Sequence, residues 1–291
     1  MKALIDGDII LYMCVFAAQS KVYNLSIPLF CEDIPKFRYK KDMMDWLKEQ
    51  GKEKSEYNVD VDTIIEPVEN ALNNVKTVLT EIKSFFSNRF GDVEIEIFLS
   101  GKTNFRNDLA TIKIYKGNRD PLHKPHWYDE IKKYLKDVWE AEEIENLEAD
   151  DILADIQESS PESEGSCIVS TDKDLDQISG WHYNWVKDTL YEVSIEQAIH
   201  NKYIQILTGD STDNIEGIPG VGPVGAEKCL EWCETVNDYE QAIAQEYEHF
   251  FTQTKKGIEK SNEYCMTWDL ILEETRALIT LGSVNDEKSI T

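Results

Sequence analysis

Carboxylates recur in four short groups along the chain. They are Asp6 and Asp8 in IDGD, Glu148, Asp150 and Asp151 in LEADD, Asp172, Asp174 and Asp176 in STDKDLD, and Asp210 and Asp213 in GDSTD. The first and third follow apolar runs directly, KALI (2–5) and SCIVS (166–170). An apolar strand that ends on an acid and turns into a helix delivers that acid to the carboxyl edge of an open α/β sheet, where ligands bind. Carboxylates gathered there repel one another unless cations lie between them. All-oxygen ligation favours Mg²⁺ or Mn²⁺. With 56 acidic residues in the chain, any one pair is ordinary; the repeat of strand, acid and helix is what points to a site. Asp8 and Asp176 stay nearest to plain solvent-facing acids. DKDLDQ is not a calcium loop, because Gln177 and Tyr183 stand where that loop needs Gly and Glu.

GIPGVGPVGA (217–226) follows the last acidic group. It contains a formal G-x-G-x-x-G at 220–225, but no strand precedes it and Pro219 and Pro223 do not suit a dinucleotide turn. It reads instead as a hairpin between SIEQAIHNKYIQIL and AEKCLEW. There Gly220 and Gly222 permit close backbone approach, and helix-start amides can hold a duplex phosphate without reading sequence. The segment 105–127 supplies Arg106, Lys113, Lys116, Arg119 and Lys124 among Phe105, Tyr115 and Trp127, a mixture suited to stacking and pairing an unpaired strand. His123 and His126 have no Cys partners at zinc spacing and are read as surface residues.

The elements that must position these groups alternate. KALI, VEIEIFLS (93–100) and SCIVS are strands; IILYMCVFAAQ, 67–86, YDEIKKYLKDVW and ADDILADI are helices, and SIEQAIHNKYIQIL opens with a Ser-x-x-Gln capping box. Residues 20–65 show no clear period and are read as an irregular insertion. The expected fold is α/β, a mainly parallel sheet flanked by helices, with helical segments after about 190. Asp6 and Asp8 interrupt the apolar N-terminus, so it reads as strand and helix rather than a signal peptide. No apolar run approaches a membrane span. The six cysteines (Cys14, Cys31, Cys167, Cys229, Cys233, Cys265) form no C-x-x-C pair and read as free thiols of a reducing compartment. A net charge of −26 argues against casual nucleic-acid binding, yet residues 100–140 carry nine Lys/Arg against six Asp/Glu.

Taken together, IDGD, FR followed by YKGNR, LEADD, STDKDLD and GDSTDNIEGIPGVGPVGA resemble the phage and bacterial 5′-nucleases. This is the flap endonuclease family that includes the 5′-nuclease domain of bacterial DNA polymerase I; the likeness is greatest to a stand-alone phage 5′→3′ exonuclease. The resemblance implies a PIN-like α/β catalytic region over 1–190, with the insertion at 20–65 and a helical arch at about 105–140. It also implies a helical lobe over 191–291 that carries a helix–three-turn–helix DNA-binding module. Asp6, Glu148, Asp150, Asp151, Asp172, Asp174, Asp210 and Asp213 map onto the family's metal ligands for two divalent ions, Mg²⁺ or Mn²⁺. Lys116 and Arg119 map onto the catalytic basic residues. The backbone of Leu207, Thr208, Glu216, Ile218 and Val221 maps onto a K⁺ site. Arg106, Lys113, Lys124, Gly220 and Gly222 are the expected nucleic-acid contacts.

The implied activity is divalent-metal-dependent 5′→3′ exonuclease and 5′-flap endonuclease cleavage of DNA in replication. The implied partners are DNA 5′ ends, flaps and duplex, with RNA/DNA hybrid as a further substrate. The implied state is a monomer without membrane contact, in the cytoplasm (of the host if phage-encoded). The alternatives are ribonuclease H-like removal of RNA primers and a catalytically impaired structure-specific DNA-binding protein. One departure stands out: Ser100 and Gly101 occupy the strand end where the family usually has an aspartate.

Overall fold

KALI becomes strand β1 (Lys2–Asp6), whose Ala3, Leu4 and Ile5 are fully buried. The computed structural model describes residues 1–26, 34–119, 124–160 and 165–282; Cys31 and His123 lie outside them. After β1 come α1 (Gly7–Ala17), β2 (Gln19–Ser26), α2 (Lys40–Glu49), β3 (Asn58–Ile65) and α3 (Val68–Phe90). Then follow β4 (Glu94–Asn104), α4 (Arg106–Leu109), α5 (Tyr128–Trp139), β5 (Glu142–Asn146), α6 (Ala149–Ser159) and β6 (Ser166–Val169). The chain continues through β7 (Gly180–Asn184), β8 (Thr189–Val193), α7 (Ile195–Thr208), β9 (Gly209–Asp210), β10 (Ile215–Glu216) and α8 (Pro223–Leu230). It ends in α9 (Val236–Gln253), α10 (Lys255–Tyr264) and α11 (Trp268–Ile279).

The chain divides into two units. The first comprises Met1–Ile9, Ile82–His123 and Trp139–Thr291. Its sheet runs β5-β4-β1-β6-β7-β8, parallel throughout except for the β7–β8 pair. Strands buried at the centre of a parallel sheet read as continuous apolar runs, and KALI and SCIV, buried throughout apart from Lys2, hold that place. Leu4, Phe98, Ile168 and Leu175 pack against Ile152 and Leu153 of α6. The helices beyond residue 190, expected as a lobe of their own, share this unit with the sheet. Their core joins Tyr203, Ile206, Leu230, Ile243, Tyr247 and Leu278, and Tyr115 packs into it. The capping box Ser194–Gln197 starts α7 as expected, with Gln197 N–H donating to Ser194 Oγ at 3.2 Å.

The second unit comprises Ile10–Glu81 and Lys124–Val138. The described residues of the 20–65 stretch are not irregular. β2 and β3 pair antiparallel from Gln19↔Ile65 to Ser26↔Asn58, and Leu25, Phe37, Met43, Leu47 and Tyr57 form a small core. Among the described residues no helix is long and apolar enough to cross a membrane.

Candidate active site

β1 and β6 lie side by side and end together, Ile5 pairing with Val169. Their next residues therefore meet at the carboxyl edge of the sheet. Asp6, 2 % exposed, accepts hydrogen bonds from Ser170 Oγ (2.9 Å) and from Ile9 N–H (3.2 Å). Ser170 Oγ also accepts from Asp172 N–H at 3.0 Å, and Asp172 Oδ1 accepts from Asp174 N–H at 2.9 Å. Ser170 thus links two acidic arms, a role that sequence reading missed although its place right after the strand was the signal.

The carboxylates strain one another's ionisation. Burial, then the charges of Asp8 and Asp172, push the Asp6 carboxyl up to about 7. Burial, then Asp6 and Asp172, hold Asp150 well above the ordinary range. Burial, then Asp172 and Asp210, push Asp174 up to about 6. Anions this close do not all ionise cheaply unless positive charge is supplied.

Two residues supply some of it. Lys116 Nζ bonds Glu148 Oε1 and lies 3.6 Å from Asp213 Oδ2, and Arg119 pairs with Asp213. Burial opposes ionisation of Glu148, but Lys116, Arg106 and the Tyr115 hydroxyl hold it below the ordinary carboxylate range. The YKGNR segment is a turn rather than a helix, with Lys116 at φ 54. The turn docks on the 210–214 loop: Lys116 N–H donates to Asp213 O (2.8 Å), and Asn214 Nδ2 donates to Ile114 O (2.9 Å). Asp210 Oδ1 accepts from Thr212 N–H at 2.6 Å and so shapes that loop. Tyr115 does not offer its ring for base stacking. It is 6 % exposed, and its hydroxyl, with one proton to give, lies 2.8 Å from a carboxylate oxygen of each of Glu148 and Asp213. The resulting cleft of about 220 Å³ is lined by Lys116, Arg119, Glu148, Asp150, Asp172, Asp174, Asp210 and Asp213.

Two expected site residues are elsewhere. Asp151 and Arg106 are both fully buried and face each other as a fork, Nη1 to Oδ2 and Nη2 to Oδ1, each at 2.7 Å. Neighbours on a helix point about 100° apart, so Asp150 turns to the cleft while Asp151 turns to the core. Asp151 is therefore corrected from a metal ligand to a core ion pair, and Arg106 from a nucleic-acid contact to its partner. Lys113 is 3.0 Å from Glu216, which Lys260 also holds at 2.9 Å. Lys124 belongs to the second unit, where it pairs with Asp129 at 2.8 Å. At the β4 end, Asp8 Oδ2 accepts from Ser100 N–H and Ser100 Oγ accepts from Ala149 N–H, each at 3.0 Å. Asp8 is thus no plain solvent-facing acid.

The glycine hairpin follows β9 and β10. Gly209 and Gly217 cross so closely that a Cβ on Gly209 would lie 2.2 Å from Gly217 N, which excludes any side chain. Leu207 O accepts from Ile218 N–H at 2.8 Å and Ile218 O from Val221 N–H at 3.0 Å. Glu216 O lies 3.4 Å from Thr275 Oγ1, and Thr208 Oγ1 donates to Gly209 O at 3.2 Å. Gly220, at φ 98, and Gly222, the N-cap of α8, have open space where a Cβ would be.

No family model matches the chain. Over 169 residues it is 30% identical to a 5′-3′ exonuclease of Buchnera aphidicola subsp. Schizaphis graminum, covering 53% of this chain and 58% of that protein. The chain is thus similar in sequence to bacterial 5′-nucleases over about half of its length. DNA polymerase I of Bacillus subtilis (strain 168) is 32% identical over 170 residues, 50% of this chain and 18% of that protein. The chain thus spans a fifth to three fifths of these relatives. The fold is similar to that of the bacteriophage T5 D15 protein co-crystallised with metal ions, at TM-score 0.53 and 18% identity over 96% of this chain and 88% of that one. The T5 D15 flap endonuclease in complex with DNA and metal ions matches at TM-score 0.50 and 21% identity, over 72% of this chain and 79% of that one.

Proposed function

We propose that the chain is a divalent-metal-dependent nuclease that hydrolyses phosphodiester bonds at DNA 5′ ends and 5′ flaps. The observation that carries this reading is the single cleft in which Glu148, Asp150, Asp172, Asp174, Asp210 and Asp213 stand with Lys116 and Arg119. Such a cleft offers sites for divalent cations and a cationic seat for a phosphate side by side.

The donor set fits Mg²⁺ or Mn²⁺: every donor is a carboxylate oxygen, and the raised Asp6, Asp150 and Asp174 carboxyls call for positive charge. Among the described residues no three acids close on one point as a finished cage. Asp6, Glu148, Asp150, Asp172, Asp174, Asp210 and Asp213 would hold two such ions. When bound, they supply Lewis-acid stabilisation of charge on the phosphoryl oxygens. Lys116 exchanges Glu148 for the scissile phosphate and offsets charge as it develops there, and Arg119 binds a neighbouring oxygen. Tyr115 keeps Glu148 and Asp213 oriented meanwhile. The amides beginning α8 at Gly222 hold a duplex phosphate without reading sequence. Carbonyls of Leu207, Thr208, Glu216, Ile218 and Val221 retain lone pairs for a K⁺ ion.

The test is a 5′-labelled flap DNA incubated with Mg²⁺ and with chelator. Short 5′ products only with Mg²⁺ are expected. Flap binding in Ca²⁺ without cleavage in Mg²⁺ or Mn²⁺ would overturn the nuclease reading in favour of a DNA-binding protein.

A further inference from the structure

The end of α11 and the residues after it run through the middle of the unit and reach both acidic arms of the cleft. Arg106 Nε donates to Leu278 O at 2.9 Å and Nη2 to Thr280 O at 3.0 Å. The same guanidinium forks onto Asp151, whose Oδ2 accepts Glu148 N–H and whose Oδ1 accepts Gly282 N–H, each at 3.1 Å. Every one of these bonds bears on the start of α6, the element that carries Glu148 and Asp150. On the other side, Leu281 N–H donates to Gln177 Oε1 at 3.3 Å. Gln177 ends the short turn Asp174–Gln177 and is itself fixed by donating to Gln205 at 3.0 Å. Leu278, Ile279 and Leu281 line the cleft between the two arms.

We infer that residues 278–282 are a strap that sets the spacing between the Glu148–Asp150 arm and the Asp172–Asp174 arm, with Arg106 and Gln177 as its positioning residues. The inference rests on the proposed reading of the cleft as the reacting centre.

The physical case is one of economy of contacts. A buried guanidinium needs acceptors for its five donors, and a carboxylate alone satisfies two. Here the remaining acceptors include two backbone carbonyls of the strap, so the ion pair and the strap stabilise each other. Gly282 at φ 110 has a conformation that a side-chain-bearing residue adopts only with strain. Its N–H reaches Asp151 from that conformation. Neither Arg106 nor Gln177 is needed to bind a phosphate for the strap to act. Its effect passes through the placement of carboxylates, where a displacement of about 1 Å can cost on the order of 10² in rate.

Three full-length variants test this: Gln177→Ala, Gly282→Val and Arg106→Lys. Two readouts are taken at a temperature well below each variant's melt: amide hydrogen exchange, and single-turnover flap cleavage in Mg²⁺ with DNA affinity measured separately in Ca²⁺. The strap predicts faster exchange in 172–177 as well as in 278–282 for Gly282→Val, although that change touches no residue of the acidic turn. It predicts a tenfold or greater loss of cleavage rate with affinity within about twofold. A purely structural role would lower the melting temperature while the folded variants cleave at the wild-type rate, and that result overturns the inference. Exchange confined to 278–282 overturns it too. If the wild type does not cleave at all, the nuclease reading fails, and the exchange coupling still decides whether the strap joins the two arms.

Discussion

Raising the pH of the chelated protein should unfold it more easily, and Asp6 should contribute to this together with Asp150 and Asp174. The Asp6 carboxyl, 2 % exposed, is pushed up to about 7 by burial and by Asp8 and Asp172. The folded state therefore holds a proton that the unfolded chain releases near pH 4. Stability from this group is greatest on the acid side, falls as pH rises through about 7, and is flat above. A carboxyl raised from near 4 to about 7 corresponds to roughly 4 kcal/mol at full ionisation. In a chain of this size that is on the order of 10 °C in melting temperature. The assay is thermal unfolding in chelator from pH 5 to 8, for wild type and Asp6→Asn. His182, held below its ordinary value by burial, titrates alike in both and cancels in the difference. Asp6→Asn should melt higher than wild type at pH 8, and the gap should narrow to less than half at pH 5. Excess Ca²⁺ should restore the wild type at pH 8 and do less for the variant. A wild-type minus Asp6→Asn difference that is constant across pH 5–8 would refute the reasoning.

Further changes separate the roles assigned to single residues. Asp151→Asn leaves Arg106 buried without its charge partner and should cost about 3–5 kcal/mol in denaturant unfolding. If Asp151 were a metal ligand instead, the loss would appear in Ca²⁺ affinity with stability unchanged. Lys116→Ala should lower single-turnover cleavage by about 10²-fold with little change in DNA affinity, and arginine should rescue it in part. An equal loss of affinity and rate would make Lys116 a docking contact. Gly222→Val places its Cβ in open space. It should leave the melting temperature unchanged, weaken duplex binding regardless of sequence and flatten its salt dependence. Unchanged duplex affinity would reduce the hairpin to a connection between helices.

The sheet was legible where strands had to be apolar on both faces. KALI and SCIV are uninterrupted because the strands are buried, and the acids that follow them mark the carboxyl edge. The Ser194–Gln197 box was equally readable, since capping is local chemistry, whereas α8 begins at Pro223, inside the stretch read as hairpin. The hairpin of β2 and β3 was missed although VDVDT alternates, because most of its residues stay exposed and the apolar period is weak. The division of Asp150 from Asp151 was not legible at all. Adjacent identical residues differ only in the side of the helix they occupy, and the buried guanidinium that claims one of them lies 45 residues away in sequence. Tyr115 was misread for a related reason: an aromatic beside lysines looks the same whether its ring faces a base or a core.

The central claim is that the acidic cleft cleaves phosphodiesters with divalent ions, and Asp172 is the residue on which it turns. Its charge acts on Asp6, Asp150 and Asp174 together. The decisive measurement is the single-turnover cleavage rate of a 5′-flap DNA across a Mg²⁺ titration, for wild type and for folded Asp172→Asn. The wild-type rate should climb from nothing to a plateau, and the variant should stay near the baseline at every Mg²⁺ concentration. A variant that reaches the wild-type plateau in saturating Mg²⁺, or a wild type that never leaves the baseline, would contradict the claim.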